Sequence, residues 1–332
     1  MERAVIIMNI LILSVGSRNK IVQYFKRELD NEGRVYTTDC SPMAPALYDS
    51  DDHFIVPRID NPTYLDEILQ ICQTHQIKSV FSLIDPELSL LAEHKAKFEA
   101  IGTTPLISSY DLVEMCFDKF KFHHYLLNHG FNTIKSYIHK TLFYNDYENG
   151  RINFPVFVKP ISGSASININ KVRSPEELDL LFEQYDQLLI QEFMDGTEIG
   201  ADVYVDLVSR QPVSIFTKKK IVMRAGETDK SVAIKDDILF ELIKRFVTEV
   251  GFIGMLDLDI FHVNGQYYIS EVNPRFGGGY LHAYEGGVNF PQMIIRNLNG
   301  EANDSSIGQY KENTYMMKYN EIKFLEALPQ TE

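Results

Sequence analysis

Ile269-Ser270-Glu271-Val272-Asn273-Pro274-Arg275-Phe276-Gly277-Gly278-Gly279 is the stretch around which the rest of the chain makes sense. It follows a strand-forming run, Gln266-Tyr267-Tyr268-Ile269, that an Asn264-Gly265 turn signal introduces. Glu271 and Asn273 stand two apart, so on an extended chain their side chains leave from the same face. A carboxylate beside an amide oxygen suits a hard cation such as Mg2+, with Mn2+ as the alternative ion. Arg275 has the same parity and sets a rigid guanidinium fork beside those oxygens, a group that suits phosphate. The competing reading of the same residues is a solvent-facing edge strand.

Upstream of the turn, Gly254 to Phe261 reads as a strand with two aspartates of equal parity, Asp257 and Asp259. Two carboxylates on one face of an apolar strand repel and lose hydration unless a cation offsets them. The hairpin through Asn264-Gly265 brings this strand back beside Glu271, so Asp259, Glu271 and Asn273 converge as a metal site requires. That conjunction is more specific than any one member.

Further upstream, Phe154-Pro155-Val156-Phe157-Val158-Lys159 is an apolar strand ending on a lysine. The loop Ile161 to Ser166, with Ser162, Gly163 and Ser164, has small residues whose N–H groups can wrap phosphate oxygens. It is not a P-loop, because lysine precedes the loop and no G-K-[ST] is present. Leu188 to Glu198 is a strand leading into a turn. Adenine needs an extended backbone edge and apolar walls, which Glu192, Phe193 and Met194 can supply, and ribose needs a carboxylate, which Glu198 can supply. The basic run Lys218-Lys219-Lys220 with Arg224 reads either as a solvated loop or as an anion site.

The first hundred residues alternate strand and helix, which implies a parallel sheet with helices on its faces. The apolar run Ala4 to Leu13 is expected to be a buried first strand, too short to span a bilayer, with Met8 as an alternative start. Ligands in such sheets sit beyond the carboxyl ends of the strands, where Gly16, Arg18, Asp39, Asp85 and Glu87 fall. No G-x-G-x-x-G follows the first strand, which weakens a dinucleotide site and a dehydrogenase. One helix is expected over Tyr110 to Asn128, carrying Asp118-Lys119 as an ordinary solvated pair.

In a chain of 332 residues with a net charge of −14, general binding to nucleic acid or to an anionic membrane is disfavoured, since both want a basic face. Three widely spaced cysteines form neither a disulfide framework nor a zinc pattern, and a reducing cytoplasm is the expected compartment.

Taken in order, these residues resemble an ATP-grasp enzyme of the carbamoyl-phosphate-synthase-like, carboxylate–amine ligase branch. The resemblance covers about residues 9 to 300 and is strongest over Phe154 to Gly279. It implies an α/β protein: a parallel α/β pre-ATP-grasp domain (1–108), then an ATP-grasp N-terminal lobe (109–190) and C-terminal lobe (191–332) of α+β type. By resemblance, Lys119 and Lys159 hold ATP phosphates under a loop spanning Ser162, Gly163 and Ser164. Glu192, Phe193 and Met194 would read adenine, and Glu198 the ribose. Asp259, Glu271 and Asn273 would bind Mg2+, with Asp259 favoured over Asp257 by its spacing to Glu271, and Arg275 and Lys159 would face the reacting phosphate.

The implied reaction forms an acyl phosphate from a carboxylate and ATP, then an amide from an amine or ammonia. Homodimers are frequent among such enzymes. The chain has room for one unit where the carbamoyl phosphate synthase large subunit holds two, and Ala165 and Ser166 stand where glycines are common. The readings set against a ligase are a carboxylase or kinase that stops at the acyl phosphate, and a nucleotide-binding sensor that does not turn over.

Overall fold

The computed structural model describes residues 8–163 and 169–328; Ser164, expected in the phosphate loop, lies outside them. Five parallel strands open the chain: β1 (Asn9–Leu13), β2 (Val35–Asp39), β3 (Asp52–Ile55), β4 (Ile77–Ser82) and β5 (Thr104–Pro105), ordered β3-β2-β1-β4-β5. The period of two explains why β1 is apolar at every position but one. Ile10 and Ile12 enter one core and Leu11 and Leu13 another, as expected for a parallel strand covered on both faces.

A four-stranded antiparallel sheet follows, from β6 (Ser136–Tyr137), β7 (Val156–Pro160), β8 (Asn170–Val172) and β9 (Leu188–Glu192), in the order β6-β9-β7-β8. Its own small core gathers Phe143, Val156, Val158, Leu178 and Ile190. The third sheet has six antiparallel strands: β10 (Thr197–Val205), β11 (Pro212–Arg224), β12 (Glu227–Ile234), β13 (Gly254–Val263), β14 (Gln266–Asn273) and β15 (Tyr315–Met317). Their order is β14-β13-β10-β11-β12-β15.

The first and third sheets share one continuous core. Ile10, Phe25 and Phe81 belong to the same cluster as Ile199, Leu256, Phe276 and Tyr280. The rings of Tyr24 and Tyr284 stack at 3.6 Å, and those of Phe81 and Phe276 lie 5.6 Å apart. Burying aromatic faces on both sides of the contact packs the N-terminal domain against the six-stranded sheet.

Two expectations change. The helix expected over Tyr110 to Asn128 is two helices, Tyr110–Phe117 and Lys119–Asn128, broken at an extended Asp118. The run Lys218-Lys219-Lys220 is the middle of a thirteen-residue strand, not a loop. All three cysteines are free thiols, and among the described residues no helix is long and apolar enough to cross a membrane.

Candidate functional site

The β13–β14 hairpin turns at Asn264 and Gly265, both with positive φ (50° and 77°), as a tight two-residue hairpin turn of the primed type requires. Asp257 pairs with Asn273 and Asp259 with Glu271, but Ile260 pairs with Ile269, which leaves Ser270 as an extra residue. This bulge resets the alternation. Tyr267 and Ile269 are core residues before it and Val272 after it, so Glu271 and Asn273 emerge on the opposite face beside Asp257 and Asp259.

The same face continues across the sheet. Glu198, Gly200 and Asp202 on β10 lie opposite Phe261, Asp259 and Asp257, and Lys218 on β11 lies opposite Gly200. Lys220 bonds to Glu198 Oε1 at 2.8 Å and to Asp259 Oδ1 at 2.5 Å, with only 6% of its side chain exposed. Burial works against its charge, but Asp259, Glu198 and Asp257 together hold the ammonium above the usual lysine range. A Cβ at Gly200 would approach Lys218 Cε at 3.2 Å and Lys220 Cε at 3.3 Å, so glycine there makes room for both lysine stems. Lys218 is paired with Asp202, both almost fully buried.

Across the cleft, β7 presents Lys159, buried and held below the usual lysine range by desolvation and by Lys119, against the pull of Glu271, Asp259 and Glu198. Lys119 opens its helix because Asp118 caps it, accepting from Phe120 N at 3.0 Å and Lys121 N at 2.9 Å. The helix N-terminus docks on the loop: Lys119 N donates to the Ile161 carbonyl at 3.1 Å, and Lys119 Nζ donates to the Gly163 carbonyl.

The N-terminal domain supplies the third wall. Asp85, at the start of helix Asp85–Glu93, grips Arg275 bidentately (Nε–Oδ1 3.0 Å, Nη2–Oδ2 3.1 Å), while Arg275 Nη1 donates to the Phe276 carbonyl at 3.0 Å. Arg18 pairs with Glu227 at 2.7 Å, and its Nη1 is enclosed with no acceptor among the described residues.

These walls bound a cleft of about 520 Å³. Of the expected site residues, Lys119, Lys159, Ser162, Gly163, Glu198, Asp259, Glu271, Asn273 and Arg275 line it. Glu192, Phe193 and Met194 are not among its lining residues. Glu192 ends β9 opposite Val156, and the Phe193 ring lies 5.5 Å from that of Phe157 with Lys171 Nζ 3.5 Å above it. Glu87 is instead a buried structural group, accepting from Ser14 and Tyr64 at 2.5 Å each. His282 bonds Ser231 (2.8 Å) and Thr314 (3.2 Å).

Asp202, Glu227 and the Ala225–Gly226 turn between β11 and β12 were missed in the sequence. The run Val213-Ser214-Ile215-Phe216, apolar except for Ser214 and rich in β-branched and aromatic residues, was the available signal that the lysines sit on a strand.

Among the described residues no three His, Cys, Asp or Glu side chains cluster as a metal cage. The donors present are two carboxylates and an amide, all oxygen, with Asp259 and Glu271 as cross-strand neighbours. That set fits a hard divalent ion that completes its shell with phosphate oxygens.

A PylC-like N-terminal domain is matched over residues 10–106 and an ATP-grasp domain over residues 116–279. The carbamoyl-phosphate synthase of Methanobrevibacter smithii is 27% identical over 295 residues, 84% of this chain and 77% of that protein. Several other curated relatives are matched over half of their own length or less. Among solved structures, the biotin carboxylase domain of Hydrogenobacter thermophilus 2-oxoglutarate carboxylase, a dimer complexed with MgADP, ADP and bicarbonate, superposes with a TM-score of 0.74 at 16% identity, covering 92% of this chain and 73% of that one. The L-amino acid ligase of Bacillus licheniformis gives 0.69 at 19% identity, covering 92% and 76%. The chain belongs to the ATP-grasp superfamily, with a PylC-like N-terminal domain placed ahead of its ATP-grasp domain.

Proposed function

We propose that the protein is an ATP- and Mg2+-dependent ligase that activates a carboxylate as an acyl phosphate and joins it to an amine or ammonia, releasing ADP and phosphate. The observation that carries this reading is the meeting, around one cleft, of Lys119 and Lys159 from one side with Glu198, Asp259, Glu271 and Asn273 from the other. Its volume suits a small-molecule site. The family and its ligase relatives support the same reading.

In this reading Lys119 and Lys159 neutralise the triphosphate and Ser162 and Gly163 approach it with backbone, a task to which Ser164 is also assigned. Glu198 receives the ribose hydroxyls, and Glu192, Phe193 and Met194 are assigned to the base. Asp259, Glu271 and Asn273 hold Mg2+ or Mn2+, which when bound polarises the phosphoryl oxygens. The acid and amine enter at the end formed by Arg18, Asp85, Glu227 and Arg275.

A carboxylate oxygen of the acid attacks the γ-phosphorus and the bond to ADP breaks. The amine nitrogen then attacks the acyl carbon, phosphate leaves, and the proton lost from nitrogen departs with it. Lys159 and Arg275 act by fixed charge on the oxygens that gain negative charge, and the protein otherwise positions and excludes water. Small-molecule acid and amine substrates, a homodimer and a cytoplasmic location complete the proposal.

The test is a panel of acids and amines read by phosphate release, with product mass. ADP release that needs both partners, with an amide product, is expected, and Glu271→Gln should retain nucleotide but lose at least a hundredfold in turnover. Release that needs only the acid, with no amide, would replace this reading by a carboxylase or kinase. Nucleotide binding without turnover on any pair would replace it by a sensor.

A further inference from the structure

We propose that the Lys220 ammonium is a stand-in cation. In the nucleotide-free enzyme it holds the two carboxylates, Glu198 and Asp259, that the nucleotide and its metal ion later take over, and it must be displaced for either to bind. This rests on the assignment of Asp259 and Glu271 as metal ligands and goes beyond it by giving Lys220 a task.

The geometry is specific. One Nζ meets Glu198 at 2.8 Å and Asp259 at 2.5 Å, from a side chain that is 6% exposed. Glu271 stands directly across from Asp259 in the hairpin, so three carboxylates share this part of the sheet face. Carboxylates brought together repel unless a cation sits among them. Lys220 is the cation that bonds to two of them, and Gly200 leaves the space its stem needs.

A divalent ion and an ammonium compete for Asp259, because two cations a few ångströms apart repel. Filling the site is therefore an exchange. Asp259 gives up Lys220 to a metal ion, Glu198 gives it up to the ribose hydroxyls, and the freed ammonium stays tethered on β11. Its charge is then available to the incoming triphosphate, on the side of the cleft that Lys159 faces.

Two consequences have opposite sign. Neutralising Lys220 should improve the site for a bare metal ion, which no longer competes with an ammonium. It should also impair turnover, because the released positive charge is missing. A lysine with a purely structural role would not strengthen metal binding when lost.

The test is Mn2+ titration of the full chain without nucleotide, read by the electron paramagnetic resonance signal of free Mn2+. Wild type, Lys220→Met and Lys220→Arg are compared, with Lys220→Gln as the neutral variant should the Met form not fold. The neutral variant is expected to bind Mn2+ at least about tenfold more tightly than wild type, which is ~1.4 kcal/mol, and to form ADP at least about tenfold more slowly. The Arg variant, still cationic, should bind Mn2+ like wild type.

Equal or weaker Mn2+ binding by the neutral variant would overturn the proposal. Because Mn2+ binding needs no acid or amine, failure of the ligase reading leaves this result readable. Adding Glu271→Gln to the neutral variant should abolish the tight site. Tight binding that persists there would overturn the metal assignment, and this inference with it.

Discussion

Removing Asp85 should damage stability out of proportion to its size, because it strands a buried charge. Asp85 and Arg275 come from positions 190 apart and lie 8% and 10% exposed by side chain. Two hydrogen bonds of 3.0 and 3.1 Å join them, and burial opposes the guanidinium charge that Asp85 chiefly supports. At 3 Å and an effective dielectric near 20, their attraction is about 5 kcal/mol, much of it offset by desolvation. In Asp85→Ala, the direct partners left to Arg275 among the described residues are the Phe276 carbonyl and Asp257 at 3.8 Å. Loss of one partner of a buried pair typically costs about 3–5 kcal/mol.

With an unfolding entropy of roughly 0.7 kcal/mol/K for a chain of this length, the thermal midpoint should fall by roughly 4–7 °C. The assay is thermal and urea unfolding of wild type, Asp85→Ala, Arg275→Met and the double variant. The double variant should be more stable than Asp85→Ala, since it removes the stranded charge along with its partner. Single losses that simply add would refute the reasoning, because they would mean that the two side chains act independently.

Asp118→Ala should cost about 1 kcal/mol by uncapping helix Lys119–Asn128 and should raise the KM for ATP several-fold by loosening Lys119, whereas Asp118→Ser should restore most of both; unfolding and steady-state kinetics check this. Burial holds His123 and His282 at a pKa of about 4, in His282 aided by Lys218. An unfolded histidine titrates near 6.5, so stability from this source is complete above that pH, falls as pH drops towards 4, and levels off below. The total loss across this range amounts to roughly 3 kcal/mol per histidine at most. A urea series from pH 7.5 to 4.5 should show it, and His282→Gln should flatten it; an unchanged slope would remove His282 as a source.

Local and periodic features were legible in the sequence. The alternation of strand and helix over the first hundred residues, the Asn264-Gly265 turn and the pairing of two aspartates with Glu271 and Asn273 all depend on near neighbours along the chain. So does the lysine near the end of β7. Each is a short-range rule of backbone or side-chain parity, and one sequence contains what it needs.

What only the tertiary structure decided lies where distant segments meet or where a rule is broken by one residue. Parity alone would have put Glu271 on the same face as Ile269, in the core; the bulge at Ser270 sends it to the cleft instead. Asp118 looked like a surface charge until the break in its helix made it the cap that presents Lys119. Three lysines in a row read equally as a solvated loop or as an anion site, because nothing beside them in sequence balances them. Their partners, Asp202, Glu198 and Asp259, come from strands 16 to 39 residues away, and only sheet pairing supplies the charges that allow Lys218 and Lys220 to be buried. The motif at Glu271 to Arg275 announced a cation and a phosphate, but Asp85, 190 residues earlier, determines where its arginine points.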